Sequence, residues 1–328
     1  MAKKRFIMNT SIAAIISTLI IISTPILFIS SHLLNYGTYI TQEPLNFRTG
    51  PNSPSIETLN LNVDVGNITI NYIDPSDDVD SHVKIEVYIK MRGSQLAGKS
   101  YEDYLNITWQ ENSPQKNFTL EVISDDWFDP LIWYTQKIEV VVTIRKGIIF
   151  DILATVTEGD VEVVALWRSS FKNLIVNVTN GDITYDFNHC IIEGNITGIT
   201  NEGALKFKSY NAEYTQNSNW MLNSNDTFVE IYQYKEMGAN ITGTAIITTG
   251  IIDLFYHDNT ADIGALFPFP YSYWFIPTTQ PGFEYTILDE GFFYESTDFP
   301  ANSNYNISFY HLGGLGERPN HIIEIKSE

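Results

Sequence analysis

The amino-acid sequence predicts an all-β fold, arranged as a parallel β-solenoid with about 22 residues per rung. A short phrase recurs six times, each consisting of an apolar residue, two spacers, a Gly or Asn and two alternating apolar positions. Four copies are separated by a constant step of 22 residues. A fixed period of this size is typical of stacked repeats, because one repeat is too small to bury its apolar face except against its neighbours.

The Gly or Asn of each phrase is expected to form a tight turn, because both residue types tolerate positive φ. Mostly apolar residues follow two and four positions later, which is the alternation of a half-buried strand. The step of 22 slips to 25 before the last copy. The predicted turn anchors are Gly66, Gly159, Gly181, Gly203, Asn225 and Gly250.

Further strands are predicted outside the phrases. The segments HVKIEVYIK from His82, FTLEVI from Phe118 and KIEVVVTI from Lys137 alternate and are rich in β-branched residues. A short helix is allowed only between Gly93 and Tyr104. With 44% hydrophobic and 13% aromatic residues, the chain can bury a sizeable core.

The N-terminal segment predicts the compartment. Lys3, Lys4 and Arg5 precede a stretch from about Ser11 to Leu34 that has no charged residue and is long enough to cross a bilayer. The positive-inside rule places the N-terminus in the cytoplasm and the chain after Tyr36 outside. We predict an uncleaved signal anchor that contacts membrane lipid; a cleaved signal peptide is the alternative.

The phrases and the anchor together predict the domain organisation. Residues 1–35 form the cytoplasmic tip and transmembrane anchor, and residues 36–58 form a linker. Residues 59–260 form the solenoid, with an insertion at about 74–146 that contains a polar, hairpin-like segment from Arg92 to Gln115. Residues 261–328 form an aromatic-rich, β-rich C-terminal cap, which is needed because an open rung exposes backbone groups and apolar core.

Charge argues against nucleic acid as a partner. The chain has a net charge of −20, and because its first 42 residues hold three basic and no acidic residues, the remainder carries −23. Phosphate contact requires a basic patch. The acidic surface is expected to keep an extracellular protein soluble.

Asn-x-Ser/Thr sequons and a lone cysteine are the modifiable groups. Cys190 is the single cysteine of the sequence, so no intrachain disulfide forms, and it is expected to be a buried small hydrophobe. The sequons are acceptor sites for glycosylation if the host glycosylates. They lie at Asn67, Asn106, Asn117, Asn177, Asn195, Asn225, Asn240 and Asn306.

Candidate chemistry is sparse. Stacked Asp160 and Asp182 could share a cation or be solvated turn residues. Two acidic loops, one with Asp74, Asp77, Asp78 and Asp80 and one with Asp125, Asp126 and Asp129, could hold calcium or be solvated. The six histidines show no zinc-ligand spacing, and no nucleophile motif or phosphate-binding loop occurs. We therefore predict a non-enzyme without catalytic, cofactor or metal site.

Aromatic residues cluster in FPFPYSYWF, from Phe267 to Phe275. They are expected to pack within the cap, with a carbohydrate or protein contact through Tyr271, Tyr273 and Trp274 as the alternative.

The order of elements resembles a bacterial and archaeal domain of unknown function known as the "putative adhesin" family. The resemblance rests on VDVGNITI, on IEVVVTIRKGIIFDILATVTEGDVEVV and on the Gly-Asp repeats, and covers about Leu59 to Tyr256. Arg145 stands where the family commonly has Pro, and Asn225 replaces the expected Gly. The resemblance implies a surface-exposed β-solenoid with an adhesive or scaffolding role and no catalytic residues.

We therefore predict a single-pass cell-membrane protein with an extracellular C-terminal domain. It would act as an adhesin-like or envelope structural protein that contacts a cell-surface protein or glycan. The alternative is a carbohydrate-binding or polysaccharide-cleaving β-helix protein.

Overall fold

The structure is a computed structural model. It describes residues 39–49, 56–74, 81–92, 96, 98–112, 114–125, 137–234, 237–238, 241–257, 273–278, 283–287, 294–295, 303–310 and 321–327. The predicted anchor at residues 1–35 lies outside these residues. Within the described part of the chain, no helix is long and apolar enough to span a membrane.

The all-β prediction is confirmed. Strands make up nearly all of the regular structure, and a short 3-10 helix at Tyr101–Asp103 lies where the sequence allowed a helix. The strands are β1 Tyr39–Arg48, β2 Ile56–Val65, β3 Asn67–Ile73, β4 Val83–Arg92, β5 Leu105–Asn112, β6 Gln115–Val122, β7 Lys137–Arg145, β8 Ile149–Glu158, β9 Val161–Leu166, β10 Ser170–Asn180, β11 Ile183–Asn188, β12 Ile191–Ile192, β13 Ile196–Glu202, β14 Leu205–Tyr210, β15 Glu213–Tyr214, β16 Ser218–Tyr234, β17 Met237–Gly238, β18 Ile241–His257, β19 Tyr273–Thr278, β20 Phe283–Ile287, β21 Tyr294–Glu295, β22 Ser303–Tyr310 and β23 His321–Ser327.

The chain divides into two compact units. One comprises Met1–Glu43, Ile89–Tyr104 and Ile123–Lys137, and its 3-10 helix is capped by Asp103, whose Oδ2 accepts the Ser100 N–H at 2.9 Å. The other comprises Pro44–Tyr88, Leu105–Val122 and Ile138–Glu328, and it contains all the repeats.

Two parallel ladders organise the larger unit. The first ladder runs β6, β2, β8, β10, β13, β16, β18 and β23, and the second runs β7, β3, β9, β11, β14, β16, β18 and β22. Strand pairs in the middle of both ladders are offset by 22 residues, as in Thr155↔Asn177↔Ile199 and Val161↔Ile183↔Leu205. The sequence period is therefore the step from one strand to the next within each ladder.

The fourth repeat corrects the sequence alignment. Leu205 pairs with Val229, and Thr227 pairs with Gly250. The partner of the Gly203 position is therefore Thr227, whereas the sequence placed the anchor at Asn225. Asn225 and Gly250 lie inside the continuous strands β16 and β18 instead of at tight turns. The physical reason is that two added residues bring Val229 and Ile231, both fully buried, into the core.

The insertion after the first repeat adds strands to both ladders. β6 pairs with β2, and β7, whose bounds match the predicted strand, pairs with β3. β5 runs antiparallel to β6, from Leu105↔Val122 to Asn112↔Gln115, so the sheet is mixed. The predicted hairpin-like insertion thus closes back on the first ladder instead of interrupting it.

Strands predicted for the C-terminal region continue the ladders. β22 pairs with the second half of β18, and β23 pairs with its first half, both in parallel. The pattern of backbone hydrogen bonds therefore extends past the last repeat.

The core of the larger unit contains a column of aromatic rings between the ladders. Phe187 lies 5.2 Å from Phe171, 5.6 Å from Tyr185 and 5.7 Å from Phe207, measured between ring centroids. Trp220 extends the column at 5.7 Å from Phe207. Alternate residues of the strands face this column, because side chains alternate across a strand.

Burial of Tyr185 predicts that the fold loses stability at alkaline pH. Its ring is fully buried, its hydroxyl donates to the Thr197 carbonyl at 2.8 Å, and burial raises its pKa well above the ordinary 10.0. Because the folded pKa exceeds the unfolded one, the contribution is complete below about pH 10 and is lost as pH rises further. Between pH 10 and pH 11, we expect ionisation of Tyr185 in the unfolded state to lower the free energy of unfolding by about 1 kcal/mol.

Denaturant unfolding of the wild type and Tyr185→Phe at pH 8 and pH 11 measures the contribution of Tyr185 to the pH dependence of stability. The wild type is expected to lose more stability than the variant over that range. Equal losses would contradict the assignment to Tyr185.

Candidate contact surface

The glycines of the repeat stack directly on one another. Cβ atoms at Gly159 and Gly181 would lie 2.2 Å from the carbonyl oxygen of the preceding glycine, and at Gly203 the distance would be 2.0 Å. The φ angles of Gly66, Gly159, Gly181 and Gly203 are 125°, 141°, 143° and 149°. Only glycine suits these positions, because another L residue would be strained and would clash with backbone.

Side-chain oxygens bridge successive repeats beside the glycines. Asn67 Oδ1 accepts the Asp160 N–H at 3.0 Å, Asp160 Oδ1 accepts the Asp182 N–H at 2.9 Å, and Asp182 Oδ1 accepts the Ala204 N–H at 2.7 Å. We call these residues the turn ladder. The structure brings Asp160 and Asp182 together, as the sequence predicted, and each carboxylate binds the backbone of the next repeat.

Asp182 distinguishes a hydrogen-bond role from a shared cation. We expect Asp182→Ala to lower the free energy of unfolding by about 1 kcal/mol, because the Ala204 N–H loses its acceptor. Asp182→Asn retains an oxygen at the same place and should stay within about 0.5 kcal/mol of the wild type. Thermal unfolding with calcium or with a chelator is the measurement; calcium stabilisation abolished by Asp182→Asn would instead support a cation.

The outward face of the first ladder carries exposed aliphatic side chains. Leu153, Ile175 and Met221 are 36%, 38% and 37% exposed. Cross-strand pairing places them in one row with Asn60 and Thr197. Successive residues of this row lie about 4.8 Å apart, because that is the spacing between neighbouring strands. We call these five residues the aliphatic row.

A shallow groove of about 430 Å³ follows this row. Its lining is Thr58, Asn60, Asp151, Ile152, Leu153, Asn173, Ile175, Asn195 and Thr197. We call this groove and the aliphatic row together the contact face.

Amides form the polar edge of the contact face. Asn173 Nδ2 donates to Asp151 Oδ1 at 2.6 Å, and Asn173 Oδ1 accepts the Asn195 N–H at 3.0 Å. Asn195 Oδ1 in turn accepts the Asn219 N–H at 2.9 Å. Lys172 Nζ lies 3.9 Å from the other Asp151 oxygen. These bonds hold the amides in fixed positions, so the edge presents a rigid set of donors and acceptors.

The groove of the contact face has a mixed chemical character. Its lining combines aliphatic, amide and hydroxyl groups with a single carboxylate, Asp151. Glycoside hydrolysis ordinarily uses two carboxyl groups flanking the bond that breaks. Three of the nine lining residues are aliphatic and six are polar, so the groove offers both apolar contact and hydrogen-bonding groups to a ligand.

A corner of the repeats exposes an aromatic pair. Trp167 and His189, 22 positions apart in the sequence, stack with centroids 4.3 Å apart and ring planes 5° apart, and Trp167 is 63% exposed. Trp167, His189 and Asn211 have φ values of 34°, 55° and 51°. This corner conformation therefore repeats with the period of the glycines. The sequence analysis missed it, although the spacing was visible.

The described sequon residues lie on strands, except Asn195, which directly precedes β13. Asn67, Asn106, Asn195 and Asn225 are exposed, and Asn117 and Asn177 are half-buried. Asn106 Nδ2 donates to Glu121 Oε2 at 3.1 Å, Asn225 Nδ2 donates to Asn201 Oδ1 at 3.3 Å, and Asn117 Oδ1 accepts from Asn60 at 2.7 Å. Asn306 belongs to β22, and Asn240 lies outside the described residues.

The remaining predicted site residues are placed only in part. Asp74 lies 3.3 Å from Lys146 Nζ, whereas Asp77, Asp78 and Asp80 lie outside the described residues. Asp125 is described, and its loop partners Asp126 and Asp129 are not. Of the aromatic cluster, Tyr273 and Trp274 belong to β19, and Tyr271 is outside the described part. Cys190 is buried, as expected.

Metal-ligating side chains do not gather in the described part of the chain. Among those residues, no group of three or more His, Cys, Asp and Glu side chains could hold a metal ion.

A buried ionisable cluster escaped the sequence analysis. Glu57, His82 and Lys116 are 1%, 6% and 0% exposed. Glu57 shares the inward parity of Leu59 on β2, and Lys116 shares that of Phe118 on β6. A charged residue at an apolar position of an alternating strand was the available signal.

This chain matches solved structures, but it matches no protein-family model and no curated sequence. A solved "putative cell adhesion protein" from Clostridium sporogenes ATCC 15579 is 11% identical, with a TM-score of 0.37, over 88% of this chain and 100% of that chain. A "putative adhesin" from Bacteroides fragilis NCTC 9343 is 9% identical, with a TM-score of 0.41, over 88% and 97%.

A third solved structure has a different printed role. A "putative lipid binding protein" from Parabacteroides distasonis ATCC 8503 is 10% identical, with a TM-score of 0.27, over 87% of this chain and 98% of that chain. These matches assign no role to individual residues of this chain. Membership of the repeat family stays a prediction.

Proposed function

We propose that the chain is an adhesin-like protein that binds a cell-surface partner through the contact face and performs no catalysis. The observation that carries the proposal is the aliphatic row, in which exposed Leu153, Ile175 and Met221 line up on a hydrogen-bonded ladder. Aligned, exposed aliphatic groups favour binding of a partner, because covering them removes their apolar surface from water. The fixed amides beside them supply orientation.

We propose further that the ladders form a parallel β-solenoid held at the membrane by residues 1–35. The 22-residue offset of the strand pairs supports the solenoid. The charge-free N-terminal stretch after three basic residues supports a single-pass anchor with an extracellular C-terminal domain. The exposed sequon residues Asn67 and Asn195 hydrogen-bond through Oδ1, so a glycan on Nδ2 would preserve those bonds.

Carbohydrate binding is the alternative function. The exposed Trp167 ring, held flat against His189, favours it, because an aromatic face can pack on an apolar sugar face. Cleavage of a polysaccharide has no comparable support, since the groove lining holds one carboxylate.

Adhesion by cells that display the full chain tests the proposal. We expect displaying cells to bind immobilised cell-surface protein extract, and Leu153→Lys with Ile175→Lys to reduce binding at least about tenfold, corresponding to about 1.4 kcal/mol. Leu166→Lys is the matched control, because Leu166 is 40% exposed on the second ladder.

Each outcome of the adhesion test has a defined meaning. Binding to a glycan array that is lost in Trp167→Ala, with the contact-face variant unaffected, would favour the alternative. Equal adherence by the wild type and the contact-face variant, both shown on the cell surface, would contradict the proposal. Release of the chain by alkaline carbonate would contradict the membrane anchor.

A further inference from the structure

Three ionisable side chains lie together inside the larger unit, away from the contact face. Glu57 projects inward from β2 and Lys116 from the neighbouring β6, and the side chains of both are 0% exposed. His82 precedes β4 and is also buried. Its backbone N–H donates to Thr49 Oγ1 at 2.9 Å, which anchors the backbone at His82.

The contact between Lys116 and Glu57 differs from an ordinary ion pair. Lys116 Nζ lies 3.6 Å from Glu57 Oε2, and neither atom has a hydrogen-bond partner among the described residues. The half-buried pair Lys84 and Glu86, by contrast, meets at 2.8 Å. Fully buried charges are costly unless hydrogen bonds satisfy them. We therefore do not expect Lys116 Nζ and Glu57 Oε2 to remain as two separate buried charges.

His82 approaches the other oxygen of the same carboxyl group. His82 Nδ1 lies 2.5 Å from Glu57 Oε1. The carboxyl carbon of Glu57 thus has an amine on one side and an imidazole on the other. This is the arrangement needed for a nucleophile, an acyl group and a proton relay, held in place by the fold.

We propose that Lys116 and Glu57 are joined by an amide bond between Nζ and Cδ, formed within the folded chain. Nζ attacks Cδ, the bond from Cδ to Oε1 breaks, and Oε1 leaves as water. Of the three protons of the ammonium group, one stays on the amide nitrogen and two leave with Oε1. His82 gives one proton to Oε1 and regains one from Nζ, so it ends unchanged.

Burial favours the product. The reaction replaces two buried charges by one neutral amide, and the released water leaves a site from which solvent is excluded. The bond would link β6, the strand supplied by the insertion, to β2 of the first repeat. It would therefore covalently close the chain between residues 57 and 116, which restricts the unfolded state. It does not depend on the identity of the ligand at the contact face.

Glu111 is the competing partner of Lys116. Its Oε1 also lies 3.6 Å from Nζ, but its side chain is 36% exposed, whereas the side chain of Glu57 is 0% exposed. Water is available to compete at that carboxylate, so we assign the bond to Glu57. The two carboxyl groups can be separated by experiment.

Peptide mapping of the denatured full chain tests the bond directly. Trypsin should fail to cut after Lys116, and a branched peptide should join residues 49–84 to residues 100–137, with a mass lower than the two peptides by one water molecule. Glu111→Gln should give the same bond, whereas Lys116→Arg should be cut after residue 116 and give three separate peptides, 49–84, 100–116 and 117–137. His82→Gln should reduce the branched fraction at early times after refolding.

The wild-type map decides the question even if a variant does not fold. Complete cleavage after Lys116 in a wild-type chain with a β-sheet circular dichroism spectrum would overturn the proposal. A branched peptide that is lost in Glu111→Gln would also overturn it. A bond at Glu57 should further raise the melting temperature of the wild type above that of Lys116→Arg.

Discussion

Gly181→Ala is expected to lower the free energy of unfolding by about 4 kcal/mol, among the largest effects of a single substitution. Gly181 has a φ of 143°, and an added Cβ would lie 2.2 Å from the Gly159 carbonyl oxygen. That oxygen is backbone, so no side-chain rotation relieves the overlap. The two repeats would have to separate, which would also weaken the hydrogen bond from the Gly159 N–H to the Asn180 carbonyl.

Gly147→Ala is the matched control for this prediction. Gly147 also has a positive φ, of 90°, but an added Cβ would meet no atom within 4 Å. Its cost should be the backbone penalty alone, about 1 kcal/mol. Urea unfolding of both variants measures the difference, and equal costs would show that stacking of the glycines contributes nothing.

Phe187→Ala is expected to lower the free energy of unfolding by about 4 kcal/mol. The ring is fully buried at the centre of the aromatic column. Its partners along the second ladder are Ala165 and Ser209, both too small to fill the space that the ring leaves. The cavity would therefore persist, and cavity volume adds to the lost transfer free energy.

Phe187→Leu separates the cavity from the loss of apolar contact. Leucine keeps much of the volume, so we expect a loss of about 1.5 kcal/mol. Thermal and urea unfolding should rank the variants in this order. A loss below about 1 kcal/mol for Phe187→Ala would mean that the column collapses to fill the space, which would contradict the expected cavity.

Part of the fold was predictable because its causes are local. Gly159 and Gly181 stand out in sequence, since positive φ and close backbone approach both select glycine. Strand β7 was predictable because KIEVVVTI alternates at most positions and is rich in β-branched residues. The turn ladder was partly predictable as well, since Asp after Gly recurs at the same spacing as the glycines.

Other features failed because they depend on the register between strands. The fourth repeat was aligned on Asn225, although Val229 and Ile231 are the residues that continue the core. The weak apolar character of Thr227 was the warning sign in the sequence. A constant period was a stronger pattern than the apolar alternation, and in this repeat the alternation decided the structure.

The candidate sites were harder to predict than the fold. The contact face combines Asn60 and Ile175, which come from different repeats and meet only through β8. Lys116 and Glu57 meet because β6 pairs with β2, and the hairpin-like appearance of the insertion did not predict that pairing. Exposed and buried polar residues look alike in a sequence until their strands are paired.

The sequence by itself determined the all-β class, the 22-residue step and the glycines at the turns. These follow from backbone conformation and side-chain alternation, which act over a few residues. Only the tertiary structure decided the register of the fourth repeat, the row of Leu153 and Ile175, and the buried contact of Glu57 with Lys116. Those depend on contacts between residues at least 22 positions apart, whose free energy appears only when the ladders form.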